Sequence, residues 1–336
     1  MKEKHSCWAR RRKGELGAKR RFRAGRFAQS RDEIGGERNM YGSILDKAVL
    51  HNGVQMPLLG YGSVFIEDPE TIVQAIELGY RNIDTAADYD NEEVVGEAVR
   101  ACGLRREEVF VTTKLWNSSH GYEKTLAAFE ASRKRLGLSY VDLYLIHWPC
   151  PDYGLYVQTW KAMEHLYQEG VIRAIGVSNF YPEWLDRIAQ ECEVLPMVNQ
   201  VECNPYNQNR EVARYCREKG ILMEAYTPLA SGAVDRDAII GEIARKYQKS
   251  CVQVTIRFLL QEGIALIPRT KHCDRMKSNA DVFDFQLSGE DMERMRSLDR
   301  GRIYSGEDPR TFHELKNLKE QIAERQARER AQKEQR

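Results

Sequence analysis

Nowhere in the 336 residues do apolar side chains run for the roughly 18–20 positions that a membrane-spanning helix needs; the longest apolar stretches, 141–148 and 264–268, are strand-sized. A membrane is therefore not an expected partner. The eight cysteines, at positions 7, 102, 150, 192, 203, 216, 251 and 273, include no C-x-x-C pair and no regular spacing. That excludes the disulfide framework of a small secreted domain and the paired ligands of a zinc site, so no metal is expected and free thiols in a reducing cytoplasm fit best. No apolar segment of signal-peptide type follows the basic N-terminus, which argues against secretion.

The net charge of +1 conceals an asymmetry. Residues 1–39 hold 13 Lys or Arg against 5 Asp or Glu, leaving 38 basic and 45 acidic residues, a net charge of −7, for the rest. The mildly acidic body lacks a nucleic-acid footprint. Runs such as Ala9-Arg10-Arg11-Arg12-Lys13 repel one another, so residues 1–44 are expected to form a disordered basic extension, with Met40 a candidate true start. The stretch 311–336 is expected to be a charged helical tail, beginning with Leu315, Leu318 and Ile322 and then almost wholly charged or Gln.

Between these ends, over 45–310, short apolar runs alternate with amphipathic ones. Strands are expected at 58–62, 81–86, 109–115, 141–148, 173–178, 197–202, 222–227 and 265–268, with helices at 70–78, 92–101, 122–136, 156–168, 182–189, 210–219 and 252–261 between them. Gly79, Gly103, Gly137, Gly170, Gly220 and Gly263 supply the stops. Further helices are expected at 274–279 and 288–298. Eight strands with helical crossovers over about 230 residues predict an α/β protein, a single (β/α)8 TIM barrel with extra C-terminal helices. An open doubly wound sheet is disfavoured because Gly60 and Gly62 are followed by Ser63-Val64-Phe65 and not by a G-x-G-x-x-G turn.

Active sites of such barrels lie at the C-terminal ends of the strands. There the second strand carries Asp84 and leads to Tyr89, the third ends in Lys114-Leu115-Trp116, and the fourth ends in His147-Trp148-Pro149. Taken singly, the Asp reads as a helix cap, the His as a hydrogen-bonded core residue and the Tyr as packing. A Lys after Val-Phe-Val-Thr-Thr is costly to bury alone, and Asp84 is its natural partner. Together the four make a coherent acid site.

The ordered motifs "GYRNIDTAADYDNEEVVG", "FVTTKLW", "DLYLIHWP", "IRAIGVSNF", "NQVECNP", "AYTPL" and "IPRT", the last followed by Arg275 and Asn279, give a chain that resembles the aldo-keto reductases from about Leu50 to Leu298. In appearance it is most similar to the bacterial 2,5-diketogluconate reductase and prostaglandin F synthase-like branch. The resemblance implies NADPH-dependent reduction of an aldehyde or ketone by a catalytic tetrad of Asp84, Tyr89, Lys114 and His147. In that scheme Lys114 lowers the pKa of the Tyr89 acid, Asp84 holds Lys114, and neutral His147 orients the carbonyl.

The same resemblance places the cofactor against Gly62 and Ser63, its carboxamide on Ser178, Asn179 and Gln200, its ring on Tyr226 and its pyrophosphate along Thr227, Leu229 and Ser231. A 2′-phosphate would meet Arg269, Thr270 and Arg275, with Asn279 nearby. Val64, Trp116 and Trp148 would wall the pocket for a small carbonyl substrate. The expected enzyme is a cytoplasmic monomer with no nucleic-acid partner. The alternative is a cofactor-sensing regulatory subunit on the same barrel.

Overall fold

In the computed structural model, which describes residues 41–316, 320 and 321, the chain enters through a hairpin of β1 (Lys47–Val49) and β2 (Gln55–Pro57). Residues 1–40 and most of the charged tail lie outside the described residues, and with them most of the extension expected over 1–44 and most of the tail helix; residues 41–44 are described and do not fit that expectation. The tip of the hairpin rests on the starts of later strands, with Asn52 Nδ2 donating to Arg173 O at 2.9 Å and His51 Nε2 lying 3.3 Å from Pro196 O. It therefore covers the face opposite the strand C-termini. Tyr41 and Ile44 already pack against the core.

Eight parallel strands follow: β3 (Tyr61–Gly62), β4 (Asn82–Asp84), β5 (Phe110–Leu115), β6 (Val141–Ile146), β7 (Ile172–Ser178), β8 (Val198–Glu202), β9 (Leu222–Tyr226) and β10 (Ala265–Leu266), each paired with the next. The two ends of the sheet meet: Leu59 bridges Leu266, Gly60 N donates to Leu266 O and Leu266 N to Leu58 O, both at 2.8 Å. The sheet is thus closed into the expected (β/α)8 barrel. Helices on the outside and side chains within leave every residue of β5 and β6 buried, which is why both read as continuous rather than alternating runs.

The crossover helices are α1 (Pro69–Glu77), α2 (Glu92–Ala101), α3 (Tyr122–Leu136), α4 (Tyr156–Gln168), α5 (Pro182–Glu191), α6 (Arg210–Lys219), with α7 (Ala238–Tyr247) and α8 (Cys251–Gln261) sharing one crossover, then α9 (Cys273–Ala280) and α10 (Gly289–Arg296). Asp68 caps α1 ahead of Pro69, and Ser250 and Gln253 form a reciprocal capping box on α8. Gly96 lets α2 and α3 touch: a methyl group there would lie 1.9 Å from Leu136 O. Among the described residues no helix is long and apolar enough to cross a membrane.

Two elements differ from the sequence expectation. The β1–β2 hairpin has strands of three residues, too short for a period to register. Helix α7 was missed although Asp237 caps it and Ile240, Ile243 and Ala244 form its buried face. A third difference concerns residues 311–315, expected to belong to a tail apart from the barrel. They return to the strand C-termini, where Trp116 Nε1 donates to Leu315 O at 3.0 Å, Asn117 Nδ2 to Glu314 O at 2.8 Å and Tyr153 OH to His313 O at 2.9 Å. Phe312 fixes this path, its ring centre 4.2 Å from that of Trp148 and 6.3 Å from that of Trp116.

Candidate active site

Parallel register brings the polar strand ends together. Lys114, on β5, is wholly buried, and its Nζ donates to Asp84 Oδ1 at 2.6 Å and Thr85 O at 2.9 Å, with Tyr89 OH at 3.4 Å. An ammonium withdrawn from water in this way needs its full set of acceptors, and the end of β4 with the turn after it supplies them. The second Asp84 oxygen accepts from Gln200 Nε2 at 2.8 Å. Burial pushes the Asp84 carboxyl upward, and the charge and hydrogen bond of Lys114, with that of Gln200, pull it back. The expected pair is thus formed.

Tyr89 corrects one expectation. Its ring keeps partial exposure to the cleft, but burial of the hydroxyl, followed by the charges of Asp84, Asp88 and Glu224, holds its pKa well above the usual phenol value. The pull of Lys114 does not offset this, because its short contacts go to Asp84 and Thr85 and Tyr89 receives only the longest. Tyr89 is therefore a firmly protonated donor. His147, just beyond β6, is the reverse case: burial, then the Lys114 charge, hold its pKa well below the usual imidazole value and keep it neutral. It meets Tyr89 and Trp116 edge-on, at ring-centre distances of 5.8 and 5.3 Å, and its Nδ1 has no partner among the described residues.

These groups form part of the wall of a cleft of about 820 Å³, within the range of cofactor and ligand sites. Asp84, Tyr89, His147, Gly62, Val64, Trp116, Trp148, Asn179, Gln200, Tyr226, Thr227, Leu229, Ser231, Arg269, Thr270, Arg275 and Asn279 all border it. Lys114 lies beneath. Ser63 and Ser178 are not brought to the wall: both are buried, the Ser63 hydroxyl donating to Asp84 O at 2.7 Å and the Ser178 hydroxyl to Gln200 O at 2.8 Å. Tyr226 OH is held by Asn179 Oδ1 at 2.9 Å. Positive φ at Asn179, Thr227, Ala230 and Ser231, none of them glycine, concentrates backbone strain along one side of the cleft.

Sequence reasoning missed Phe312, which completes an apolar box with Trp116 and Trp148, because its surroundings read as a charged tail. It also missed Glu224, whose signal was a single acid inside the run Leu222-Met223-Glu224-Ala225-Tyr226. At the far end, Arg269 and Arg275 are exposed, and neither has a carboxylate partner among the described residues. Two guanidiniums without carboxylate partners beside Thr270 suit a phosphorylated ligand, and the apolar box lines another part of the same cleft.

Known proteins resemble the chain over most of its length. The profile of the aldo/keto reductase family matches residues 64–300. The chain is 47% identical over 262 residues to the glyoxal reductase of Bacillus subtilis, covering 77% of this chain and 94% of that protein. It is 41% identical over 268 residues to the methylglyoxal reductase DkgA of Escherichia coli, covering 78% and 96%. The crystal structure of a variant of Gox0644 in complex with NADPH superposes with a TM-score of 0.75 at 41% identity, over 80% of this chain and 98% of that one.

Proposed function

The chain belongs to the aldo/keto reductase family and reduces carbonyl compounds with NADPH, and on that premise we propose that Asp84, Tyr89, Lys114 and His147 carry the reduction. The observation that supports this most is the Tyr89 hydroxyl, 3.4 Å from a fully buried lysine and beside a neutral histidine that lines the cleft. When bound, NADPH supplies the hydride. His147 donates to the carbonyl oxygen and aims it, while Tyr89 gives that oxygen its proton as negative charge develops. A phenol with a raised pKa still serves, because the alkoxide it protonates is a stronger base than any phenolate. Lys114 remains as the nearby positive charge, held by Asp84.

The cofactor would run from Gln200, Asn179 and Tyr226, past Thr227, Leu229 and Ser231, to a 2′-phosphate at Arg269, Thr270 and Arg275, with Asn279 and Gly62 beside it. Gln200 can meet a carboxamide only through its Oε1, because its amide nitrogen is already engaged with Asp84 and Glu224. Trp116, Trp148 and Phe312 favour a small substrate, and the named activities of the relatives point to 2-oxoaldehydes such as glyoxal and methylglyoxal. The acidic body supports an enzyme without a nucleic-acid partner, and the cysteine pattern supports a cytoplasmic one; we take it to act as a monomer. Those relatives are named as reductases, which leaves a purely regulatory role without support.

A panel of aldehydes, diketones and 2-oxoaldehydes, followed by loss of NADPH absorbance, tests the reading. Turnover of the 2-oxoaldehydes with NADPH is expected. No turnover of any carbonyl by folded, NADPH-bound protein would contradict it.

A further inference from the structure

Among the buried acids that the reduction described above does not use, Glu224 is bonded directly to Gln200 of the site. Glu224, on β9, is 0% exposed and stands in register with Gln200 of β8. Its Oε1 accepts from Asn82 Nδ2 at 2.9 Å and its Oε2 from Gln200 Nε2 at 2.8 Å, and the same Gln200 nitrogen donates to Asp84 Oδ2 at 2.8 Å. An ionised carboxylate only accepts, so Asp84, joined by Glu224 when it is ionised, fixes which way the Gln200 amide points. The charged or titratable groups acting on Glu224 are Asp84 from β4, Lys114 from β5 and Tyr89 from the turn after β4. From β8 it meets neutral Gln200, and the facing β10 residues are Ala265 and Leu266. One ammonium serves two carboxylates: with Glu224 protonated the charges balance, and with it ionised the cluster carries an extra negative charge.

We propose that Glu224 is a positioning residue for the reduction, orienting Gln200 and, through the charge it carries beside Asp84, setting the pH at which Tyr89 exchanges its proton. The inference rests on Tyr89 being the acid. Burial and then the Asp84 charge push the Glu224 carboxyl up to about 7, against the pull of Gln200, Lys114 and Asn82, so its charge changes in the neutral range. Its negative charge is among those that raise Tyr89. As pH rises, ionised Glu224 therefore opposes loss of the Tyr89 proton. Alcohol oxidation, which needs Tyr89 as a base, is delayed to higher pH.

The test is the pH profile of benzyl alcohol oxidation by NADP+-saturated enzyme. In Glu224→Gln the mid-point of the rising limb should move down by about one pH unit, taking for this charge the lower end of the range that a charge within about 4–6 Å of a carboxylate produces. Glu224→Asp, which keeps the charge, should retain the wild-type mid-point. An unmoved mid-point in a folded Glu224→Gln enzyme overturns the proposal. Should that variant not fold, 13C NMR of the glutamate side chains in wild-type holoenzyme decides: one carboxyl titrating near neutrality supports it, and none doing so sinks it. If Tyr89→Phe oxidises the alcohol at the wild-type rate, the assignment of the acid is what has failed. If Tyr89→Phe is inactive while Glu224→Gln keeps the wild-type profile, only the role of Glu224 falls.

Discussion

At the Tyr89 end of the cleft the ionisable groups are buried and tied to one another, whereas at the Arg275 end the charges are exposed and have no carboxylate partner. Lys114 is 0% exposed with Asp84 at 2.6 Å, while Arg269 and Arg275 lie at the surface. The buried end rests on β4, β5, β8 and β9, whose hydrogen bonds fix each side chain relative to the next. The exposed end rests on the loop after β10 and the first turn of α9. Buried charges shift pKa values and cost much when one partner is lost; exposed ones shift little and discriminate by direct contact. The first end is suited to proton transfer and the second to recognising a phosphate.

The largest effect should come from breaking the buried end. Tyr89→Phe is expected to cut kcat by about 10²–10⁴-fold, the usual worth of a positioned acid, while NADPH affinity by fluorescence titration stays within a few-fold. Lys114→Met should be comparably inactive, and the double variant should lose far less than the product of the two single losses, because the residues act as one unit. A Tyr89→Phe enzyme with near wild-type turnover would remove Tyr89 from the chemistry.

At the exposed end the effect should be smaller and selective. NADPH is expected to bind at least about tenfold more tightly than NADH, equivalent to 1.4 kcal/mol and within reach of one charge-assisted contact. Arg275→Met should erase much of that preference by weakening NADPH alone. Equal losses for both cofactors would show that Arg275 supports the loop rather than the phosphate.

The smallest effect should be none. A chain beginning at Met40 retains Tyr41, whose carbonyl accepts from Arg257 at 2.9 Å, and both ends of the cleft should keep their wild-type kcat and NADPH affinity. A marked fall in Tm or kcat would place residues 1–39 among the barrel's contacts.

The same contrast governs what the sequence revealed. Strand ends with Asp84, Lys114 and His147 stand out because ionisable side chains are rare in strands covered on both sides, and α2, α3, α4 and α6 keep the bounds their periods predict. Glu224 carried the same signal but, without a partner nearby in sequence, passed as a strand residue. Phe312 gave none, since its place over Trp116 and Trp148 depends on backbone contacts made across the top of the barrel. Ser63 and Ser178, which the resemblance put near the cofactor path, were legible as residues of this region but not in their local bonding: their hydroxyls donate to Asp84 O and Gln200 O. The pKa of Tyr89 was also illegible, because it depends on how deeply its hydroxyl is buried and on the charges of Asp84, Asp88 and Glu224 around it.

The division between the two ends is tested most directly by measuring, for Tyr89→Phe, Arg275→Met and the double variant, both the single-turnover rate of hydride transfer at saturating NADPH and the NADPH dissociation constant. Tyr89→Phe should lower only the rate, Arg275→Met should weaken only binding, and the double variant should show both losses undiminished, as independent sites do to within about 0.5 kcal/mol. A saturated Arg275→Met enzyme with slow hydride transfer, or a Tyr89→Phe enzyme with greatly weakened NADPH binding, would contradict the account.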